Sequence, residues 1–317
     1  MLATEQATQL SLAYRFLCAA VSAYGINSDG TLVPQQPYYD AVGFLHPPTV
    51  FVAGEDDINA CLVGTSEEGV ILAFRGTNTP ATKDLKRWLD WINDAQIEPI
   101  AVPNMPGKVH AGFWSALDSL WVPMVAELKK QTQANGKQLP LYITGHSKGG
   151  ALSSLAAFRL ATSEGITPTG VYTFASPHPG DLTFTKQYQA TIANHIRYEF
   201  GDDIVPYLVP DEVFMNAIAQ IPALSSYFKA TKTWDYVPVG TLKFIKWDKK
   251  AVVADSVELK AERLARLVEA LVTLRFEEII QAHSALVGGG YMDGASLPEV
   301  IAAVAHAAEI TSEDAQK

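Results

Sequence analysis

Residues 139–160, LPLYITGHSKGGALSSLAAFRL, constrain this chain more than any other stretch. Residues 139–144 read as a short buried strand, and residues 151–160 as a helix. Between them Gly145-His146-Ser147-Lys148-Gly149 matches G-x-S-x-G in the strand-to-helix setting that the motif requires. So tight a turn strains the backbone at Ser147 and leaves its hydroxyl clear at the end of the sheet. Side chains at Gly145 and Gly149 would collide with the neighbouring helix and strand. Ser147 then stands at a helix N-terminus, whose dipole and free amides favour nearby negative charge. The amide of Lys148 is placed to donate to an oxyanion. Met elsewhere, the same five residues would be a chance pattern, but the flanking strand and helix argue otherwise. A phosphate loop is excluded, because no Gly-Lys-Ser/Thr follows at the required spacing.

The rest of the chain supplies a sheet for such a turn. Leu10, Tyr14, Leu17, Val21 and Tyr24 recur at helical spacing. Segments 49–54 and 59–65 read as strands. The run 69–77, GVILAFRGT, is apolar throughout its first half, as suits a strand covered on both faces. Residues 82–95 and 113–134 read as helical, 170–177 and 195–200 as strands, and the stretch from Gly180-Asp181 to His195 as a helix. Segment 240–248 resembles an edge strand. Residues 256–283 form one long amphipathic pattern, with Asp255 and Glu258 as its expected capping box, and a last helix is expected to start at Ser296. Strands alternating with helices predict an α/β fold. With no linker-like boundary, residues 1–317 are expected to form one domain.

A serine hydroxyl needs a base. In the fold where such a turn is found, the acid follows the serine and a histidine comes last. Of the seven histidines, His46, His110 and His146 precede Ser147, and His178 and His195 precede the expected acid. His283, in IIQAHSALVGGGY, stands where a helix gives way to a Gly-rich loop. His306 lies inside a helical pattern and reads as a packing or surface residue. The acid should follow the strand ending at Phe200, where Asp202 and Asp203 are adjacent. One must orient an imidazole, the other caps a turn, and spacing alone does not choose between them. Thr77, after Phe74-Arg75-Gly76, is placed to supply the second oxyanion amide; Arg75 reads as a structural ion pair near the site.

Bulk properties exclude other classes. A net charge of −10 argues against a general nucleic-acid binder. Hydrophobic residues at 48% and charged residues at 18% carry no signature of disorder. The two cysteines, Cys18 and Cys61, form neither a zinc site nor a disulfide framework, and no metal or cofactor is implied. No run approaches the length of a transmembrane segment. The N-terminus lacks a basic start and a clean apolar core. No signal peptide is therefore expected, which leaves a cytoplasmic location or export without a recognisable signal.

VILAFRGT, VHAGFWSAL, LYITGHSKGGALSSLAA, VYTFASPHPGD and FGDDIVPYLVP together resemble, in order, the signature segments of the class 3 lipases, a branch of the α/β-hydrolases. The resemblance covers about residues 60–210 and extends to His283. It implies a central, mostly parallel sheet flanked by helices. It implies Ser147 as nucleophile, Asp203 as the acid directly before Ile-Val-Pro, and His283 as base, with Thr77 and Lys148 at the oxyanion hole. It also implies a helical lid over residues 80–95, with Trp88, Leu89, Trp91 and Ile92 as its apolar, substrate-facing side chains; an ordinary surface helix is the alternative for that stretch. The long path from Asp203 to His283 predicts an insertion, or second flap, at 211–257. The implied activity is hydrolysis of lipid esters at a lipid–water interface through an acyl-enzyme, most simply of triacylglycerol. Phospholipase A1 and feruloyl esterase are alternatives within the same chemistry. An acyltransferase, or a non-catalytic lipid-binding protein on the same scaffold, is a further one.

Overall fold

The run at residues 69–74 is apolar at every position because both its sides are covered. Val70, Leu72 and Phe74 join one hydrophobic core, and Ile71 and Ala73 join a second. Successive strand side chains point to opposite faces, so the two cores lie on the two sides of one sheet. The computed structural model describes residues 11–54, 58–77, 98–133, 138–207, 235–286 and 290–297.

In chain order the elements are α1 (Leu12–Ser22), α2 (Tyr38–Val42), β1 (Thr49–Ala53), β2 (Asn59–Ser66), β3 (Gly69–Phe74), β4 (Pro99–Ile100), β5 (Val109–His110) and α3 (Ala111–Thr132). There follow β6 (Leu141–His146), α4 (Lys148–Arg159), β7 (Gly170–Phe174), β8 (Gly180–Asp181), α5 (Leu182–Thr191) and β9 (His195–Phe200). The last part holds β10 (Tyr236–Val237), β11 (Thr241–Ile245), β12 (Val252–Ala254), α6 (Val257–Val272), α7 (Phe276–Ala282) and α8 (Gly290–Ala295).

The main sheet has the order β1-β2-β3-β6-β7-β9-β11-β12. Strands β3, β6, β7, β9 and β11 are parallel, while β1, β2 and β12 extend it antiparallel. A small second sheet runs β10-β8-β5-β4. Leu117, Leu120, Met124 and Leu128 of α3 and Leu152 and Leu155 of α4 fill one core. Phe16 and Leu17 of α1 and Tyr291 and Met292 of α8 fill the other. Each such fully buried side chain contributes about 1.5–3 kcal/mol relative to exposure. Thr144 also ties β6 to α1, donating from Oγ1 to the Phe16 carbonyl at 3.1 Å.

Four expectations are corrected here. The stretch 240–248 is not an edge strand: β11 lies between β9 and β12. Its neighbour β12 is only three residues long, too short to announce itself by periodicity. For the same reason the expected insertion 211–257 is not a flap throughout, since β11 and β12 are part of the main sheet; residues 211–234 lie outside the described residues. The amphipathic stretch 256–283 is two helices. The chain breaks at Leu274, whose φ of 59° is left-handed, and a leucine gives no warning of that conformation. The cap of α6 is Ser256, whose hydroxyl accepts from the Leu259 amide at 3.1 Å; Asp255 pairs with Lys260 instead. The helix expected from Ser296 and the one expected at 82–95 lie outside the described residues, apart from Ser296 and Leu297, which form a turn.

Candidate active site

The turn from β6 into α4 is built as its residue types demand. Ser147 has φ 58° and ψ −133°, a left-handed φ that non-glycine residues adopt at a cost of about 1–3 kcal/mol. A Cβ at Gly145 would lie 2.1 Å from the Gly149 carbonyl oxygen, and one at Gly149 would lie 2.3 Å from that of Phe74. The turn is pinned by the Ser147 amide donating to Phe174 O at 2.9 Å and the Gly150 amide to Ser147 O at 2.8 Å. Ser147 Oγ makes no cap bond to the helix that it precedes, so the hydroxyl is available to a partner.

That partner is His283, just past the end of α7. Its Nε2 lies 2.9 Å from Ser147 Oγ, and its Nδ1 lies 3.1 Å from Asp203 Oδ2. An ionised carboxylate only accepts, so Nδ1 carries the hydrogen and Nε2 presents its lone pair to the serine hydroxyl. All three side chains are buried. Asp203 follows β9 and is held on both oxygens. Oδ1 accepts from the Val205 amide at 2.9 Å, and Oδ2 accepts from the Tyr291 hydroxyl at 2.6 Å. Burial and then the Asp203 charge raise the Tyr291 phenol well above its ordinary value, so it stays a donor. The adjacent Asp202 faces elsewhere, accepting from Trp247 Nε1 at 2.6 Å with Arg266 Nε 3.7 Å away. The geometry thus separates two aspartates that spacing left equal.

Three further side chains brace the site in roles that the sequence did not suggest: Tyr291, described above, His146 and Tyr24. His146 Nε2 donates to the His283 carbonyl at 2.9 Å, and Nδ1 accepts from the Tyr24 hydroxyl at 2.9 Å. Burial, and then His283, hold the His146 ring well below its ordinary pKa, so it is a neutral brace for the chain at His283. Only chain order excluded His146 as a base; in the structure both its nitrogens are engaged away from Ser147. Tyr24 closes the apolar pattern of the first helix, which reads as packing, and Tyr291 follows a Gly-rich loop with no motif around it. No local signal marks either one.

Thr77 is the third residue after β3 and the last described one of that stretch. Gly76 packs so closely on the turn that a Cβ there would lie 2.7 Å from the His146 carbonyl oxygen and 2.0 Å from the Tyr24 hydroxyl. Arg75 donates to the Ile26 carbonyl and, at 3.0 Å, to that of Ile58, anchoring this loop through backbone. Lys148 Nζ donates to Asn59 Oδ1 at 2.8 Å. Trp88, Leu89, Trp91, Ile92 and His306 lie outside the described residues.

Among the described residues no group of three or more His, Cys, Asp and Glu side chains is set to hold a metal ion, and no helix is long and apolar enough to cross a membrane. Cys18 and Cys61 are buried free thiols. Burial pushes both pKa values up, that of Cys18 to about 12, which leaves them un-ionised.

The arrangement can move a proton from a strained serine hydroxyl to a buried imidazole with a carboxylate behind it. It can then meet a developing oxyanion with helix-terminal amides. Known proteins are similar to this chain. The family model for "Lipase (class 3)" matches residues 71–213. The chain is 33% identical over 162 residues to a lipase of Rhizomucor miehei, covering 49% of this chain and 41% of that protein. It is 24% identical over 253 residues to phospholipase A1-Igamma1, chloroplastic, of Arabidopsis thaliana, covering 71% of this chain and 46% of that one. The chain therefore matches less than half the length of these curated relatives. Among solved structures, the Rhizomucor miehei lipase propeptide complex superposes with a TM-score of 0.56 at 21% identity, over 77% of this chain and 70% of that one. At that identity the likeness establishes the fold, an α/β-hydrolase.

Proposed function

We propose that this chain, whose residues 71–213 match the class 3 lipase family model, is a serine hydrolase of lipid carboxylic esters, most simply a triacylglycerol lipase. The observation that carries the reading is the buried line from Ser147 Oγ through His283 to Asp203, starting on a residue of left-handed φ. In this reading Ser147 Oγ attacks the ester carbonyl while His283 Nε2 takes its proton. The resulting oxyanion is met by the amides of Lys148 and Thr77. As the tetrahedral intermediate collapses, His283 returns the proton to the departing alkoxide and an acyl-enzyme remains. Water repeats the sequence with the same base and frees the acid. Asp203 holds the imidazole in one tautomer and supports its positive charge without being protonated itself.

A phospholipase A1 reading uses the same residues, and the Arabidopsis thaliana relative supports it over 71% of this chain. Residues 80–95, with Trp88, Leu89, Trp91 and Ile92, are proposed as an apolar cover of the acyl site that opens on a lipid surface, and residues 211–234 as a second cover. Assaying short- and long-chain triacylglycerols, phosphatidylcholine and methyl ferulate, each through its solubility limit, tests substrate and cover together. Hydrolysis that rises at the solubility limit of a triacylglycerol, and less so in Trp88→Ser/Trp91→Ser, is the expected result. Hydrolysis confined to methyl ferulate would overturn the lipid assignment.

A further inference from the structure

Lys148 is a cation where a cation is disfavoured. It opens α4, at the positive end of the helix dipole. It is mostly withdrawn from solvent and lies near the Arg75 guanidinium. Burial, and then Arg75, lower its pKa from 10.5 to about 8. Among the described residues no carboxylate pairs with it, and its hydrogen-bond partner is the neutral Asn59 amide. A mostly buried cation that meets a neutral amide among the described residues breaks a local rule, as is expected at functional sites.

The topology says what the side chain spans. Asn59 is the first residue of β2, which is antiparallel to β3 with Cys61 opposite Phe74. The Arg75 amide donates to the Ala60 carbonyl at 2.9 Å, which brings Asn59 beside Gly76. Lys148 follows β6, on the other side of β3. Its side chain therefore crosses the end of β3, from the serine turn to β2, at the loop Arg75-Gly76-Thr77. The far anchor is itself held: Asn59 Nδ2 donates to Ser119 Oγ at 3.2 Å, and Ser119 Oγ donates to the Ala116 carbonyl at 2.7 Å.

We propose that the Lys148 side chain is a positioning residue of the oxyanion site: strapped to Asn59, it fixes the Thr77 loop against Ser147 and adds a positive charge on the side of the developing oxyanion. The inference rests on the ester-hydrolase reading above. In a buried site such a charge acts over several ångströms with little screening. It favours the transition state over the ground state, since the carbonyl gains charge only there. The charged group that acts on it is Arg75, after β3. From β2 and α3 it meets the neutral Asn59 and, behind it, Ser119.

The test is the dependence of kcat and KM on pH, from about 6 to 10, for a small soluble ester such as p-nitrophenyl butyrate. Lys148→Met, Lys148→Arg and Asn59→Leu are compared with the natural chain, each checked for folding by its thermal transition. The natural chain should lose part of its kcat as pH rises through about 8. Lys148→Met should show kcat roughly tenfold to a hundredfold lower at neutral pH, KM within about twofold, and no decline through that range. Lys148→Arg should keep most of the rate and also lose the decline, because guanidinium stays charged. Asn59→Leu should lower kcat several-fold by freeing the strap. Natural kcat and an unchanged profile in Lys148→Met overturn the proposal. If that variant does not fold, a decline near pH 8 that persists in Lys148→Arg overturns it instead. Ser147→Ala, run alongside, separates the two readings. Activity surviving in Ser147→Ala removes the ester-hydrolase reading and this inference with it, whereas activity lost there but untouched in Lys148→Met removes this inference alone.

Discussion

His283 and His195 are both buried, and both are hydrogen-bonded at each ring nitrogen, yet they are built for opposite ends. His195 lies between two hydroxyls, Thr173 Oγ1 at 3.0 Å from Nε2 and Tyr188 Oη at 2.9 Å from Nδ1. Neither partner carries charge, and burial, then Arg197, push the ring pKa from 6.5 down to about 3. His283 meets a carboxylate on one side and, on the other, the hydroxyl of a serine with φ 58°. The carboxylate fixes one tautomer and supports an imidazolium; a second hydroxyl does neither. Burial and the number of hydrogen bonds therefore do not mark a reactive histidine. On the proposed reading, the charge and backbone conformation of its partners do.

The sharpest break between the two regions is by substitution. Ser147→Ala and His283→Ala should each fold and lose roughly a thousandfold or more of ester hydrolysis, while His195→Leu should keep its rate per folded molecule. Steady-state rates normalised to active sites titrated with a serine-directed phosphonate, or to folded protein for Ser147→Ala, make that comparison. An inactive but well-folded His195→Leu would end the distinction. Asp203→Asn should cost about 10³- to 10⁴-fold, since the wrong tautomer is then stabilised. Asp202→Asn should remain within a fewfold, because that carboxylate serves Trp247 and Arg266.

Smaller effects refine the contrast. Tyr291→Phe removes one donor to Asp203 and should lower kcat by about tenfold, as expected for a hydrogen bond to a charged group; an unchanged kcat would make Tyr291 a packing residue only. His195→Leu leaves the Thr173 and Tyr188 hydroxyls without their partner and should cost about 2 kcal/mol or more, read from the urea midpoint. The pH dependence follows with a definite sign. The folded pKa of His195 lies below its unfolded value of 6.5, so between about 3 and 6.5 the unfolded chain binds a proton that the folded chain refuses. Stability is therefore present above pH 6.5 and lost as pH falls towards 3, by about 1.4 kcal/mol per pH unit for each such ring. His110, likewise held at about 3 by burial, adds the same slope. Urea midpoints at several pH values should give His195→Leu a slope shallower by one proton; an identical slope would mean that His195 charges in the folded state.

Much of the fold was legible. The run Val70-Ile71-Leu72-Ala73-Phe74 announced a strand covered on both faces, and Gly145 and Gly149 announced a turn with no room for side chains, because periodicity and close contact along the chain are properties of neighbouring residues. The elements 195–200, 170–174 and 111–132 lie within a few residues of where the pattern puts them. Leu274 and the three-residue β12 were not legible, since nothing in their residue types distinguishes a break or an edge from their surroundings.

The site divides along the same line. By itself the sequence determined the serine, its strained turn, the helix amides beneath it, and a short set of acids and histidines ordered behind it. Spacing left Asp202 and Asp203 equal and only the family resemblance named Asp203; tertiary structure showed which one meets the imidazole, and that Tyr291, His146 and Tyr24 hold the arrangement in place. The Tyr291–Asp203 bond joins residues 88 positions apart, and the His146–His283 bond joins residues 137 apart. A hydrogen bond is made or lost within a few tenths of an ångström. Over such separations that precision comes from how the sheet, α7 and α8 pack, and no local pattern of residues encodes it.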